Sequence, residues 1–494
     1  MEVKEMTNAP LETKDQIRGG GTGKLQGNMG VFDIVFTVLA YNAPISVFVG
    51  FITVIIGYGN GIGAPVTFVA AGLLMLVFSV GFTAMSRKMP NPGAFYSYIT
   101  AGVGRPLGLG SAFLALVSYL FILVGGYCFG GLSWSALVRD RFGGPDIPWW
   151  VYTLAVMVVV SLLGYFRITL SAKVLTIAMI LETIAMIAYD VSVIAQGGDS
   201  GTAPLSLEPF SLQAASSGSI GLAVIFGIVC FAGFEATAVF REEARDPEKT
   251  VPRATYISVI TLMVIYALTS WAMVNGLGLQ NAVELSAADP TGTAFATAGV
   301  YLTQIGVDVV NVLLCTSIFA ANLSTHNVST RYIYSLSVDG IFPKFLSRVH
   351  HTQVSPFRAS FLVTIVSIAS LLVIVFLGGE PGILYATLVG IGGYSLIMLL
   401  LLTSIGVIAY FRRNASSDVN VMKRLIAPIV AVIGLVVALV IATQNVDVMI
   451  GGSKELAASL VSLFIALVVT GVIVALALRK SKPKVYERIG RQDV

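Results

Sequence analysis

Apolar positions in this chain gather into long runs, separated by short polar stretches rich in glycine and proline. A helix needs about 20 apolar residues to cross a hydrocarbon core of about 30 Å. Runs of that length recur about twelve times, near residues 30–58, 62–86, 106–138, 147–166, 170–195, 218–240, 253–279, 304–337, 357–378, 382–411, 425–443 and 455–478. The pattern predicts an all-α integral membrane protein with twelve transmembrane helices. It divides into a polar tail (1–28), a core of ten helices (29–411, split into 30–195 and 218–411), two further helices within 412–478, and a second tail (479–494).

Two runs carry interruptions in corresponding places. In the first, LAYNAPISVFVG puts Pro44 in mid-helix, where it removes a backbone donor and disfavours the helical conformation at Ala43. In the sixth, Gly233 and Glu235 interrupt CFAGFEAT. Each helix opens a block of five, so the breaks fall at matching places in two consecutive halves, as expected of a five-plus-five inverted-repeat secondary transporter. A break at the midplane frees backbone groups and aims two half-helix dipoles at one point. Amide-rich ends attract a carboxylate and carbonyl-rich ends attract an ammonium group or cation. A site between two such breaks suits an amino acid or a similar small charged metabolite.

Composition supports the class. With 56% hydrophobic and 11% charged residues over 494 positions and a mean hydropathy of +0.86, the chain has too few charges to cover a soluble protein. Charge then sets orientation. With a cytoplasmic N-terminus, 27 of the 30 Lys and Arg residues fall on the cytoplasmic side, leaving Arg139, Arg141 and Lys454 outside. Both termini are expected in the cytoplasm of a cell-membrane protein, and the pI of 8.8 points to anionic lipid headgroups, not nucleic acid. The first stretch lacks a signal-peptide pattern and reads as a flexible tail.

Candidate chemistry is sparse. Cys128, Cys230 and Cys315 lie in apolar runs and read as small buried hydrophobes. HExxH, GxSxG and ligand-spaced cysteine or histidine clusters are absent from the sequence, so neither an enzyme, a metal site nor a cofactor is indicated. A channel would have no use for matched breaks.

Phe231 to Arg253, FAGFEATAVFREEARDPEKTVPR, resembles the sixth helix and following loop of the amino acid-polyamine-organocation transporter superfamily. The matching positions are Phe231, Gly233, Phe234, Glu235, Glu242, Glu243, Pro247, Thr250, Pro252, Arg253 and Ala254. PNPGAFYSYITAGVGRPLG (Pro90, Gly93, Tyr96, Tyr98, Gly104, Gly108) is similar to the family's segment before the third helix. RYIYSLSVDGIFP (Arg331, Tyr334, Asp339, Gly340, Pro343) is similar to its segment at the end of the eighth. The resemblance implies alternating access. It also implies that the substrate carboxylate meets amides at the first break, at Ala43, Pro44, Ile45 and Ser46, and that the amine meets carbonyls at the sixth, at Phe231, Ala232 and Gly233, with Cys230 and Phe234 beside them. One departure stands out: many members have a glycine-rich first break, whereas here APIS offers fewer donors.

Ion coupling rests on the fifth and eighth helices. In SAKVLTIAMILE, Glu182 lies nine residues after Lys173, where some proton-coupled relatives carry a lysine. A carboxylate at a helix centre costs about 2.5 to 3.5 kcal/mol on insertion scales, so Glu182 is expected to carry a proton. Sodium is the alternative, with Asn322, Ser324 and Thr325 as ligands. His326, on the same helix, reads either as a proton relay to Glu182 or as a helical histidine satisfied by a neighbouring hydroxyl. Glu235, Tyr119, Tyr127, Tyr394 and Phe234 are expected to order the sixth-helix turn and gate the site. Arg241, Glu242, Glu243, Arg245, Asp246 and Arg253 are expected to latch the cytoplasmic side. Asp33, Asp190 and Asp308 read as interfacial. Exchange transport of a polyamine, organic cation or non-amino-acid organic acid is the alternative function.

Overall fold

The structure, a computed structural model, describes residues 29–89, 95–166, 172–239, 244–350, 355–414 and 419–490. The tail 1–28 and the motif positions Pro90, Gly93, Arg241, Glu242 and Glu243 lie outside them. Among the described residues the regular structure is helical, the helices being joined by turns and loops, and the β contacts are isolated bridges such as Met29 with Ala244.

Among the described residues, ten helices are long and apolar enough to cross a membrane: α1 (Val31–Tyr58), α2 (Gly61–Ser86), α3 (Arg105–Arg141), α5 (Thr176–Gln196), α7 (Pro247–Leu277), α8 (Gln304–Val338), α9 (Phe357–Phe376), α10 (Pro381–Arg413), α11 (Met422–Thr443) and α12 (Lys454–Ser481). Two expected spans come out shorter. They are α4 (Trp149–Tyr165) and α6, which is in two pieces, Ile220–Val229 and Ala236–Val239. The start of α7 differs from its apolar run, because Pro247 takes the first helical position, where its missing N–H costs nothing.

The helices α3 and α10 form the central pair, with α12 and α8 against α3, while α1 lies between α5 and α7. Small residues permit these approaches. Gly392 lies against the Ser118 carbonyl of α3, and Ser118 donates to the Gly392 carbonyl at 2.8 Å. At the start of α1, the Arg245 amide donates to the Met29 carbonyl at 2.9 Å, tying the first helix to the segment that follows the sixth.

One docking contact is pH-sensitive. At the end of α8, buried Asp339 accepts from the Gly490 amide at 3.3 Å, beside the buried Ile489 of the C-terminal segment. Burial pushes its carboxyl up from 3.8 to about 7, against the pull of the Gly490 N–H and Arg488. A raised acid favours the docked state while protonated, so the stabilisation is full below about pH 4 and is lost as pH rises to about 7. Proteolysis beyond residue 481 is expected to be faster at pH 8 than at pH 5, and Asp339→Asn is expected to remove that difference.

Candidate functional site

The first break is a product of Pro44. Helical geometry stops at Asn42, and Ala43 takes a left-handed conformation (φ 49°, ψ 65°), consistent with steric restriction of the residue before proline. The chain restarts with Pro44 at the first helical position and runs through a π-helical turn, Val47–Phe51. Ala43, Pro44, Ile45 and Ser46 are all buried.

The second break covers Cys230 to Glu235, with Gly233 at φ 109°, a value glycine adopts at little cost. Phe231 and Phe234 are buried. Phe231 meets Tyr266 of α7 edge-on at 6.0 Å, and Phe234 meets Phe78 of α2 edge-on at 5.7 Å.

A carboxylate holds an amide in each break, buried in the first and half-buried in the sixth. Glu182 of α5 is 2% exposed, and its Oε2 accepts from the Ile45 amide at 3.2 Å. Ser317 of α8 and the Tyr266 hydroxyl neighbour the same carboxylate. Glu235 accepts from the Gly233 amide on Oε2 at 2.8 Å and from the Tyr119 hydroxyl of α3 on Oε1 at 2.9 Å. Tyr119 in turn packs against Tyr332 of α8 at 5.7 Å. The structure thus brings together Glu182 with the first break, and Glu235 and Tyr119 with the sixth.

It does not bring the others there. His326 pairs its Nε2 with Ser360 of α9 at 2.9 Å. It lies nine residues beyond Ser317, which is about 13 Å along the helix and half a turn around it. The direct relay to Glu182 is corrected on that ground. The sodium set does not converge either: Asn322 donates to the Gly126 carbonyl at 3.1 Å, and Thr325 bonds back to Ala321 at 2.9 Å. Ser324 lies beside them on α8, half-buried. Tyr127 is buried among Met157, Val160 and Leu323. Tyr394 bonds Thr443 at 2.8 Å and stacks on Phe464 of α12, so both tyrosines pack helices away from the breaks. Asp190 is a further correction, since it is 1% exposed and accepts from Thr269 of α7 at 2.9 Å. Asp33 is exposed and Asp308 half-buried.

Sequence reasoning missed an aromatic cluster beyond the first break. Phe51 packs against Phe129, Phe226 and Tyr385 at centroid distances of 6.0 to 6.5 Å, and Phe129 stacks on Tyr385 at 4.5 Å. The Tyr385 hydroxyl donates to the Gly50 carbonyl at 2.7 Å inside the π-helical turn. A side chain at Gly50 would strike Phe129 at 2.7 Å, so that glycine lets α3 close over the turn.

Known proteins resemble the chain along most of its length. The profile of the family described as "Amino acid permease" matches residues 34–475. Among curated relatives, the low-affinity putrescine importer PlaP of Escherichia coli (strain K12) is 22% identical over 336 residues, 66% of this chain and 70% of its own. The branched-chain amino acid permease BcaP of Bacillus subtilis (strain 168) is 23% identical over 359 residues, 69% and 73% of the two chains. The lysine-specific permease LysP of Lactococcus lactis is 24% identical over 343 residues, 64% and 63%.

Proposed function

This chain belongs to the amino acid permease family and is a multi-pass membrane transporter, and we propose that it takes up a small amine or amino acid with protons, by alternating access. The observation that carries the reading is the pair of broken helices, each with a carboxylate on a freed amide: buried Glu182 on Ile45 and half-buried Glu235 on Gly233. Half-helix ends at membrane depth recognise small charged groups, and a buried carboxylate at such an end marks an ion or substrate path. Relatives named for putrescine, branched-chain amino acids and lysine share one chemical feature, an amine.

In this reading Glu182 carries the coupling proton, and Glu235 with Tyr119 sets the sixth-helix turn. The aromatic cluster around Phe51 closes one side of the site and the Met29–Arg245 tie closes the other. The charge distribution supports a cell-membrane protein with both termini in the cytoplasm. The test is uptake into proteoliposomes of a labelled panel of amines and amino acids, under an imposed pH gradient, with and without sodium. Accumulation of at least one compound that follows the proton gradient and ignores sodium is expected. Accumulation only with sodium would overturn the proton assignment, and no uptake of any member would overturn the substrate class.

A further inference from the structure

The first break has almost no donors left. The opening turn of a helix normally leaves its first amides without intrahelical partners, which is what makes such an end attractive to an anion. Here Pro44 has no N–H, and the Ser46 and Val47 amides both donate to the Ala43 carbonyl, at 2.9 and 3.4 Å. The Ile45 amide is the one that points away from the local chain, and it is taken by Glu182. That donor set is complete without a ligand.

The sixth break repeats the arrangement. Its Gly233 amide is taken by Glu235, and the Phe231 and Ala232 amides close turns onto Ile228 and Val229. Acceptors are in surplus instead. Among the described residues nothing donates to the carbonyls of Cys230 and Ala232. Beside Ile45, the Ser46 hydroxyl is 6% exposed as a residue and has no partner.

We infer that Glu182 is a tethered stand-in for a substrate carboxylate, filling the one anion seat of the first break, so that the site selects amines lacking an α-carboxylate over the corresponding amino acids. The ammonium group is received by the unused carbonyls of the sixth break, and a free carboxylate would have to displace Glu182 from Ile45 while facing two acids, Glu182 and Glu235. The inference rests on the reading of the two breaks as the transport site.

Pairs that differ only by the α-carboxylate test it: putrescine and ornithine, 3-methylbutylamine and leucine, 2-phenylethylamine and phenylalanine. Binding is measured on the purified full chain in lipid nanodiscs. In every pair that binds, the amine is expected to bind at least about tenfold tighter, a difference of about 1.4 kcal/mol. Glu182→Ala vacates the seat and is expected to bring the amino acid to within about threefold of its amine, a residual of less than 1 kcal/mol. Glu182→Gln keeps an acceptor oxygen on Ile45 and is expected to retain the preference. A wild-type protein that binds the amino acid as tightly as the amine overturns the inference and leaves the transporter reading standing. A Glu182→Gln variant that admits amino acids as Glu182→Ala does would make charge repulsion the cause and overturn the filled seat. If no member of any pair binds, the transport site itself is misassigned and the inference falls with it. The wild-type comparison decides whether or not the alanine variant folds.

Discussion

Glu182→Gln is expected to abolish accumulation driven by a pH gradient while leaving exchange of labelled for unlabelled substrate intact. The glutamine keeps the shape of the side chain and an acceptor for the Ile45 amide, 3.2 Å away in the wild type. What it removes is a proton that can be taken up and released. With one proton moved per substrate, a gradient of one pH unit supports up to about tenfold accumulation, because 1.36 kcal/mol corresponds to a factor of ten. Without the proton the ratio should settle at equality. Exchange needs only binding and alternation, so its persistence would separate lost coupling from a misfolded protein. Full gradient-driven accumulation in the glutamine variant would place the coupling group elsewhere. Asp190, also buried in α5 and held by Thr269, would be the next residue to examine.

The parts legible in the sequence are those written in local patterns. Apolar length located the spans, Pro44 located the first break and Gly233 the second, because each acts on its own backbone. Depth in a run also marked Glu182 and Glu235 as expensive. Partners were not legible, since they depend on which way a helix faces. Ile45 meets Glu182 across 137 positions, and no period in either run announces it. His326 shows the same gap from the other side, because its depth suits a relay but its helical phase turns it to Ser360 on α9. Tyr127 and Tyr394 looked like gates because aromatics near glycines are conspicuous, whereas their rings fill helix interfaces. The cluster that does cover the first break, Phe51, Phe129, Phe226 and Tyr385, is drawn from apolar runs in which one more aromatic residue carries no contrast.

The two breaks also differ in what holds them. The first is imposed by a residue with no amide and would persist as a kink whatever surrounded it. The sixth has no proline, and its open turn is stabilised by side-chain bonds that can be made and broken. Glu235 spans that turn, with Gly233 on one oxygen and Tyr119 of α3 on the other. The sixth helix is therefore the half in which a change of conformation has a small number of identifiable contacts to release.

Replacing those contacts gives the second large effect. Glu235→Ala leaves the Gly233 amide and the Tyr119 hydroxyl without their acceptor, in surroundings where an unsatisfied buried polar group costs about 1 to 3 kcal/mol. Transport is expected to fall by more than about tenfold, the equivalent of 1.4 kcal/mol, with the loss in maximal rate and not in apparent substrate affinity. Tyr119→Phe removes one of the two bonds and should cost less. Because both residues act through one contact, the loss in Tyr119→Phe/Glu235→Ala should fall short of the sum of the single losses, by about 0.5 to 3 kcal/mol of coupling. A purely structural role predicts something else: lower thermal stability in every variant, with unchanged turnover per folded molecule. Additive losses in the double variant would show that the 2.9 Å bond between Tyr119 and Glu235 takes no part in the rate-limiting step. The sixth-helix turn would then be a fixed feature of the site, and the moving part would have to be sought at the Met29–Arg245 tie.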